Sequence, residues 1–353
     1  MRWYAVSQAA YRLARPLLFR FEPERIHHLT MRVLRGSGER TAGRMLLGIA
    51  SGAPRRQAPA RVAGLEFRNR IGLGAGFDKD GVALRGWAAL GFGFVEVGTV
   101  TPIPQPGSDR PRLFRLPDDE ALINRMGFNN AGAAELARHV MLARRLLPAG
   151  FVVGVSIGRN KTTPQEDALA DYAAAFRLVA PVADYVALNI SSPNTPELRS
   201  MQERETVARL LETALAVGHE LASVRPIFVK LAPDLDDGMI VSLARAMCDA
   251  GAQGVVLTNT RPDGDGLQLR TRTAIRDEPG GLSGPPLLPR TLELIKTVRD
   301  ELGDRLAIIA SGGVGSGADA AAALDAGADL VQLWTGLVYR GPGLIGEAIA
   351  ATS

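Results

Sequence analysis

Eight short runs of β-branched and other apolar residues, each followed by a longer segment of helical character, limit what this chain can fold into. The runs lie at 69–75, 94–100, 151–157, 185–190, 227–231, 254–258, 306–310 and 330–333. Most are continuously apolar rather than alternating, as parallel strands covered on both faces require. Helical segments at 81–90, 167–180, 203–224, 236–250 and 318–326 fall between them. Eight such repeats predict an α/β fold, a closed (β/α)8 TIM barrel. An open doubly wound sheet alternates in the same way and stays open at this point, but it requires no count of eight.

A barrel of this kind carries its functional residues at the C-terminal ends of its strands. Polar residues and glycines gather there: Gly76-Phe77-Asp78-Lys79, Thr99, Ser156, Asn189-Ile190-Ser191-Ser192, Lys230, Thr258-Asn259-Thr260, Ser311-Gly312-Gly313 and Trp334-Thr335-Gly336. The long loops after strands two and six add Asn124-Arg125-Met126-Gly127-Phe128-Asn129-Asn130 and Gly280-Gly281-Leu282-Ser283-Gly284. Glycine-bearing loops after strands seven and eight suit a phosphate, because backbone N–H groups can approach the anion closely. No P-loop and no Rossmann fingerprint is present. Lys79 and Lys230, at two strand mouths, can face an anion or an electron-rich ring oxygen. Asn124, Asn129, Asn189, Asn194 and Asn259, with Ser192 and Thr260, can both donate and accept, as a planar ring with carbonyl and N–H edges demands.

At 353 residues, 46% hydrophobic and 22% charged, the chain is long enough for one large domain or two ordinary ones. The net charge of +4, with no basic block, gives no support to nucleic-acid binding. Its one cysteine, Cys248, excludes an intramolecular disulfide and any multi-cysteine metal site, and reads as a buried helix residue. The N-terminus differs from the rest. Up to Phe21 there is no acidic residue, while Arg2, Arg12, Arg15 and Arg20 punctuate apolar side chains. These arginines leave no run of the roughly 20 apolar residues a spanning helix needs. Trp3, Val6, Ala10, Leu13 and Leu17 recur at helical spacing, and after Pro23 so do Ile26, Leu29, Val33 and Leu34. We read residues 1–55 as an amphipathic helical segment able to lie on a membrane surface and 56–353 as the barrel. A helical extension packed on its own domain and a cleavable targeting peptide remain open alternatives.

Several of these motifs, in order, resemble dihydroorotate dehydrogenase signatures: Ala75-Gly76-Phe77-Asp78-Lys79-Asp80, Glu96-Val97-Gly98-Thr99-Val100-Thr101-Pro102, the 124–130 run, Asn189-Ile190-Ser191-Ser192-Pro193-Asn194-Thr195 and the 280–284 run. They span roughly residues 60 to 345. The resemblance implies FMN, held by Ala75, Gly76, Phe77, Asp78, Lys79, Thr99, Ser156, Asn189, Lys230, Thr258, Gly284, Gly313, Trp334 and Thr335. It implies dihydroorotate held by Lys79, Asn124, Arg125, Met126, Gly127, Phe128, Asn189, Asn194, Asn259 and Thr260. Ser156 departs from the asparagine, and Trp334 from the tyrosine, more common in the family at these places.

Cytosolic members of that family carry a cysteine base after strand four, and quinone-linked members a serine. Here that loop has Ser192, so the resemblance is to the membrane-associated, quinone-dependent class 2. It implies oxidation of dihydroorotate to orotate in pyrimidine biosynthesis, with Ser192 as base, hydride passing to FMN and electrons to a membrane quinone. The N-terminal helices would form a lipid-facing lid, with His27 and Arg112 at the quinone head. Peripheral attachment is expected, at the cytoplasmic face of the inner membrane in a bacterium or at the mitochondrial inner membrane in a eukaryote. No obligatory protein subunit is expected. A dihydropyrimidine or dihydrouridine reductase would need an electron-input module or a basic accessory domain, and neither is visible. A flavin barrel that had lost catalysis would show damage at Ser192 or Lys79, and both are intact.

Overall fold

A computed structural model describes residues 3–195, 198–262, 267, 269–271 and 277–353. Eight parallel strands close into a barrel: β3 (Ile71–Leu73), β4 (Phe94–Val100), β7 (Val152–Ile157), β8 (Tyr185–Asn189), β9 (Ile227–Leu231), β10 (Gly254–Leu257), β12 (Ala307–Ser311) and β13 (Leu330–Leu333). They neighbour one another in that order, and β13 pairs with β3 to complete the ring. The closed barrel expected from the eight runs is therefore present, and the doubly wound alternative is not. Helices α4 (Leu84–Ala89), α5 (Ala133–Arg144), α6 (Ala168–Val179), α7 (Arg204–Glu220), α8 (Asp237–Asp249), α9 (Leu288–Leu302), α10 (Gly317–Asp325), α11 (Thr335–Arg340) and α12 (Gly343–Ala351) surround it.

The period of two along each strand sorts the barrel interior by height. Phe94, Phe228, Ile309 and Leu330 fill the lower half, and two residues further on the same strands stand Glu96, Lys230, Ser311 and Gln332. The lower half is packed by complementarity between glycines and rings. A Cβ on Gly72 would meet the Phe94 ring at 2.3 Å, one on Gly154 the Tyr185 ring at 2.0 Å, and one on Gly254 the Phe228 ring at 2.1 Å. The antiparallel hairpin β1 (Ala60–Val62) and β2 (Leu65–Phe67) closes this end, with Phe67 edge-on to Phe94 at 5.4 Å. The lower barrel is thus a dry plug, and the upper barrel is polar.

Three helices precede the barrel, where two were expected: α1 (Trp3–Leu18), α2 (Pro23–Glu39) and α3 (Thr41–Ser51). Glu22 caps α2 by accepting from the N–H groups of Glu24 (2.9 Å) and Arg25 (2.7 Å). One face of this layer packs on the barrel. Tyr11 donates to the Val338 carbonyl at 2.7 Å, and α2 crosses α4 so closely that a Cβ on Gly86 would meet the Leu34 carbonyl oxygen at 2.6 Å. The other face is bare, with Trp3, Leu13, Leu17, Leu29, Val33, Met45, Leu46 and Ile49 all exposed. Among the described residues, no helix is long and apolar enough to cross a membrane.

The two long loops after the second and sixth barrel strands meet in a small antiparallel sheet: β5 (Leu113–Leu116), β6 (Ala121–Asn124) and β11 (Gly281–Ser283), in the order β11-β6-β5. Cys248 corrects an expectation. It lies on α8, as read, but is only half-buried, because Ile240, Leu243, Ala244 and Met247 face the core and position 248 is rotated roughly 100° from Met247.

Candidate active site

The polar upper half of the barrel opens into one cavity, roofed by the β5–β6–β11 sheet and bordered by α2. Its wall holds Ala75 and Gly76 after β3, Thr99 on β4, Asn189 on β8, Ser192 and Asn194 after it, Lys230 on β9, and Thr258, Asn259 and Thr260 after β10. The loops after β12 and β13 add Gly313, Trp334 and Thr335, and the 280–284 run adds Gly284. Lys79, Asn124, Met126, Gly127 and Phe128 come from the other side, and His27 from α2. Residues far apart in the sequence thus converge because every strand ends at the same rim.

A chain of side chains orders this rim. Ser156 and Thr99 hydroxyls lie 2.9 Å apart, Asn189 Nδ2 donates to Thr99 Oγ1 at 2.8 Å, and Asn259 Nδ2 donates to Asn189 Oδ1 (3.2 Å) and Ser191 Oγ (2.9 Å). Tyr172 pins the Asn189 carbonyl from behind at 2.7 Å. Asn194 Nδ2 reaches across to the Asn124 carbonyl at 3.2 Å, and its backbone N–H donates to Ser192 Oγ at 3.3 Å. Ser192 is 5% exposed, so bulk water barely reaches its hydroxyl.

Electrostatics differ sharply around the cavity. Burial, reinforced by Arg112, pushes the Lys79 ammonium down to about 7, against the pull of Glu24 and Asp80. Its Nζ donates to Asn129 Oδ1. Burial, with Lys79 and His28 adding to it, lowers His27 to about 4, so its ring is neutral at neutral pH. Burial pushes Glu24 up, but hydrogen bonds and charge from Arg112 and Arg110 outweigh it and hold the carboxyl at about 2.

Five positions expected in the site stand elsewhere. Arg112 is spent on structure: Nε and Nη2 donate to Glu24 at 3.2 and 2.8 Å, and Nη1 donates to the Pro106 and Ser108 carbonyls, both at 2.8 Å. Arg125 pairs with Glu278 at 2.7 Å and lies over the Phe114 ring. Phe77 packs between His27 (5.1 Å) and Trp334 (4.9 Å). Asp78 is wholly buried, accepting from the N–H groups of Val82 and Ala83 and from the Trp87 indole. Ser156 reaches Thr99 rather than the cavity. Trp334, in contrast, lines the cavity, and its indole N–H donates to the Ala75 carbonyl at 3.1 Å, tying the end of β13 to that of β3. Glu24, Leu113, Leu122, Leu287 and Gln332, none of them expected in the site from the sequence, also line the cavity.

The flavin mononucleotide that the resemblance implies suits this mouth. Gly284, Gly312 and Gly313 have φ of +111°, +137° and +83°, and a Cβ on Gly313 would meet the Leu288 backbone nitrogen at 2.4 Å. Such backbone can present N–H groups to a phosphate with no side chain between. On the floor, Gln332 Oε1 is buried without a hydrogen-bond partner, and Lys230 has none among the described residues. A ring edge bearing both donor and acceptor groups satisfies both.

Comparison with known proteins agrees with this architecture. A family model for dihydroorotate dehydrogenase matches residues 58–351. The dihydroorotate dehydrogenase (quinone) of Methylococcus capsulatus is 47% identical over 343 residues, covering 95% of this chain and 96% of that protein. The enzyme of the same name from Azotobacter vinelandii is 46% identical over 345 residues, covering 97% and 96%. The crystal structure of DHODH in complex with ferulenol from Eimeria tenella superposes with a TM-score of 0.84 at 33% identity, covering 93% of this chain and 90% of that one.

Proposed function

Because the chain belongs to the dihydroorotate dehydrogenase family, in its quinone-dependent class, we propose a specific division of labour among its residues. The protein is an FMN-dependent oxidoreductase, and the reading is that it oxidises dihydroorotate to orotate and delivers the electrons to a membrane quinone. The observation that carries this reading is the convergence of Ser192, Lys79 and four asparagines on one cavity that also has a glycine-lined phosphate cradle.

Dihydroorotate loses a proton from C5 and a hydride from C6. When bound, FMN supplies the hydride acceptor and passes electron pairs on to quinone. The phosphate would rest on the backbone of Gly284, Gly313 and Thr335, and the ring would lie over Lys230 and Gln332, flanked by Ala75, Gly76, Thr99 and Thr258. Ser192 takes the C5 proton. Its neutral hydroxyl is a weak base, so it must pass its own proton to a relay of water or threonine as it accepts one. Lys79 pairs with the substrate carboxylate, while Asn124, Asn189, Asn194 and Asn259 hold the ring polar groups and stabilise the charge that builds as the proton leaves. Residues 1–55 form the lipid-facing layer, and His27 meets the quinone head as a neutral imidazole. Attachment through this layer places the protein at the surface of a membrane, which in a bacterium is the cytoplasmic face of the inner membrane.

Anaerobic spectra of the purified holoenzyme test the reading. Dihydroorotate should bleach the flavin band, and a ubiquinone analogue should restore it where fumarate and NAD do not. Ser192→Ala should slow the bleaching about 10²–10⁴-fold while orotate still binds. A flavin band that dihydroorotate cannot bleach would discard the substrate, and near-normal bleaching in Ser192→Ala would discard the base.

A further inference from the structure

Inside the barrel, just below the cavity floor, a charged group stands where the packing would otherwise be apolar. Glu96 is wholly buried on β4, two residues beyond Phe94. Its Oε2 accepts from the Tyr185 hydroxyl at 3.0 Å and from Gln332 Nε2 at 2.8 Å, while Oε1 has no hydrogen-bond partner. Two neutral donors reach only one of its oxygens, and the other is left buried with no partner. Lys230 on β9 also projects into the interior, is 6% exposed, and has no hydrogen-bond or ion-pair partner among the described residues. Each is a buried charge lacking a direct mate, and they share one interior.

We propose that Glu96 is the counter-ion of Lys230, a positioning residue that keeps the lysine charged at the floor of the flavin pocket. The inference rests on the reading that FMN occupies that pocket. Burial drives the Lys230 ammonium toward its neutral form, and the Glu96 carboxylate is the charge that opposes it. Tyr185 takes no part in the titration, because burial and Glu96 hold its phenol well above its ordinary value. The other inward side chains around the two, on β7, β8, β10, β12 and β13, are Ser156, Ala187, Asn189, Val256, Ser311 and Gln332, none of which carries charge. Tying β4 to β8 and β13 is a structural service that a glutamine could also perform. Holding a proton on Lys230 is not.

The test is a spectroelectrochemical titration of the flavin-loaded protein between neutral and mildly alkaline pH. It compares wild type, Glu96→Gln, Lys230→Met and the double variant. With the carboxylate gone, Lys230 is neutral beneath the oxidised ring and gains a proton when negative charge arrives on reduction. The midpoint potential of Glu96→Gln should therefore fall more steeply with pH than that of wild type, by one proton per two electrons. The added slope should vanish in the Lys230→Met background. Equal slopes in wild type and Glu96→Gln, or an added slope that persists without Lys230, would overturn the proposal. A second readout does not need the lysine variants to hold flavin. FMN affinity for the apoprotein should weaken with rising pH in Glu96→Gln more than in wild type, and parallel profiles would overturn the proposal. A wild-type protein that binds no flavin would overturn the cofactor reading along with it.

Discussion

Burial beside Arg112 leaves Lys79 poised at about 7, so in the free protein its ammonium is losing its proton through neutrality. An anionic carboxylate placed against it favours the charged form and raises its pKa. Binding orotate at about pH 8, between the free value and the raised one, should thus draw in a proton. Affinity should decline as pH rises above 7 and level off once the bound form also titrates. Calorimetry in buffers of different ionisation heat measures this directly. Uptake approaching one proton is expected for wild type and none for Lys79→Met; no uptake in wild type would separate Lys79 from the substrate anion. Lys79 was legible in the sequence because it follows a strand and a glycine. Glu24, Gln332 and Leu113 were not, because nothing local distinguishes a glutamate in a first helical turn, or a glutamine inside an apolar strand, from an ordinary one. Their importance comes from neighbours distant in the sequence, such as Arg112 for Glu24 and Glu96 for Gln332. The same limit acts in reverse at Asp78, whose position beside Lys79 suggests the site although its carboxylate is committed to the start of the next helix and to Trp87.

At the level of elements, α2 is held by a buried ionic anchor near its start, besides the more exposed pair of Glu39 with Arg85 of α4 near its end. Glu24, 2% exposed, accepts from both Arg112 and Arg110, and Arg112 is fastened in turn to the Pro106 and Ser108 carbonyls of the loop before β5. Glu24→Ala would leave the Arg112 guanidinium buried without its carboxylate, a loss that typically costs about 3–5 kcal/mol. We expect a lower Tm and slower reoxidation of the reduced flavin by quinone, with reduction by dihydroorotate largely spared. A variant of unchanged Tm would show that α2 is held by its contacts with α4, packing and the Glu39–Arg85 pair together, without need of Glu24. The barrel strands and α1, α2, α4, α6, α7, α8 and α10 could be read in advance because their apolar period is regular. The third helix could not: Gly43 and Gly48 interrupt its pattern, and Gly43 is there because a Cβ would meet the Ser37 carbonyl oxygen at 2.4 Å in the turn from α2. The β5–β6–β11 roof was equally hidden, since β6 and β11 pair Asn124 with Gly281 across most of the barrel sequence.

Taken whole, the molecule is electrically lopsided. Residues 1–56 hold eleven arginines against three glutamates, a net of +8, so the +4 of the full chain leaves the remainder at −4. The positive part is also the part whose helices expose Leu13, Leu17, Leu29, Val33, Met45, Leu46 and Ile49. Apolar insertion and attraction to an anionic surface then act on the same layer, while the negative barrel is repelled, and together they orient the molecule. The two contributions separate experimentally, because charge attraction is screened over about 8 Å at physiological ionic strength and apolar burial is not. Flotation with vesicles of phosphatidylglycerol and phosphatidylcholine should retain more protein than phosphatidylcholine alone, and added salt should erase the difference without abolishing binding. Replacing Met45 and Ile49 by glutamate should weaken binding to both kinds of vesicle, since it removes apolar contact and adds like charge. If that double variant binds as wild type does, the membrane footprint ends at α2, and α3 serves only to close the layer against the barrel.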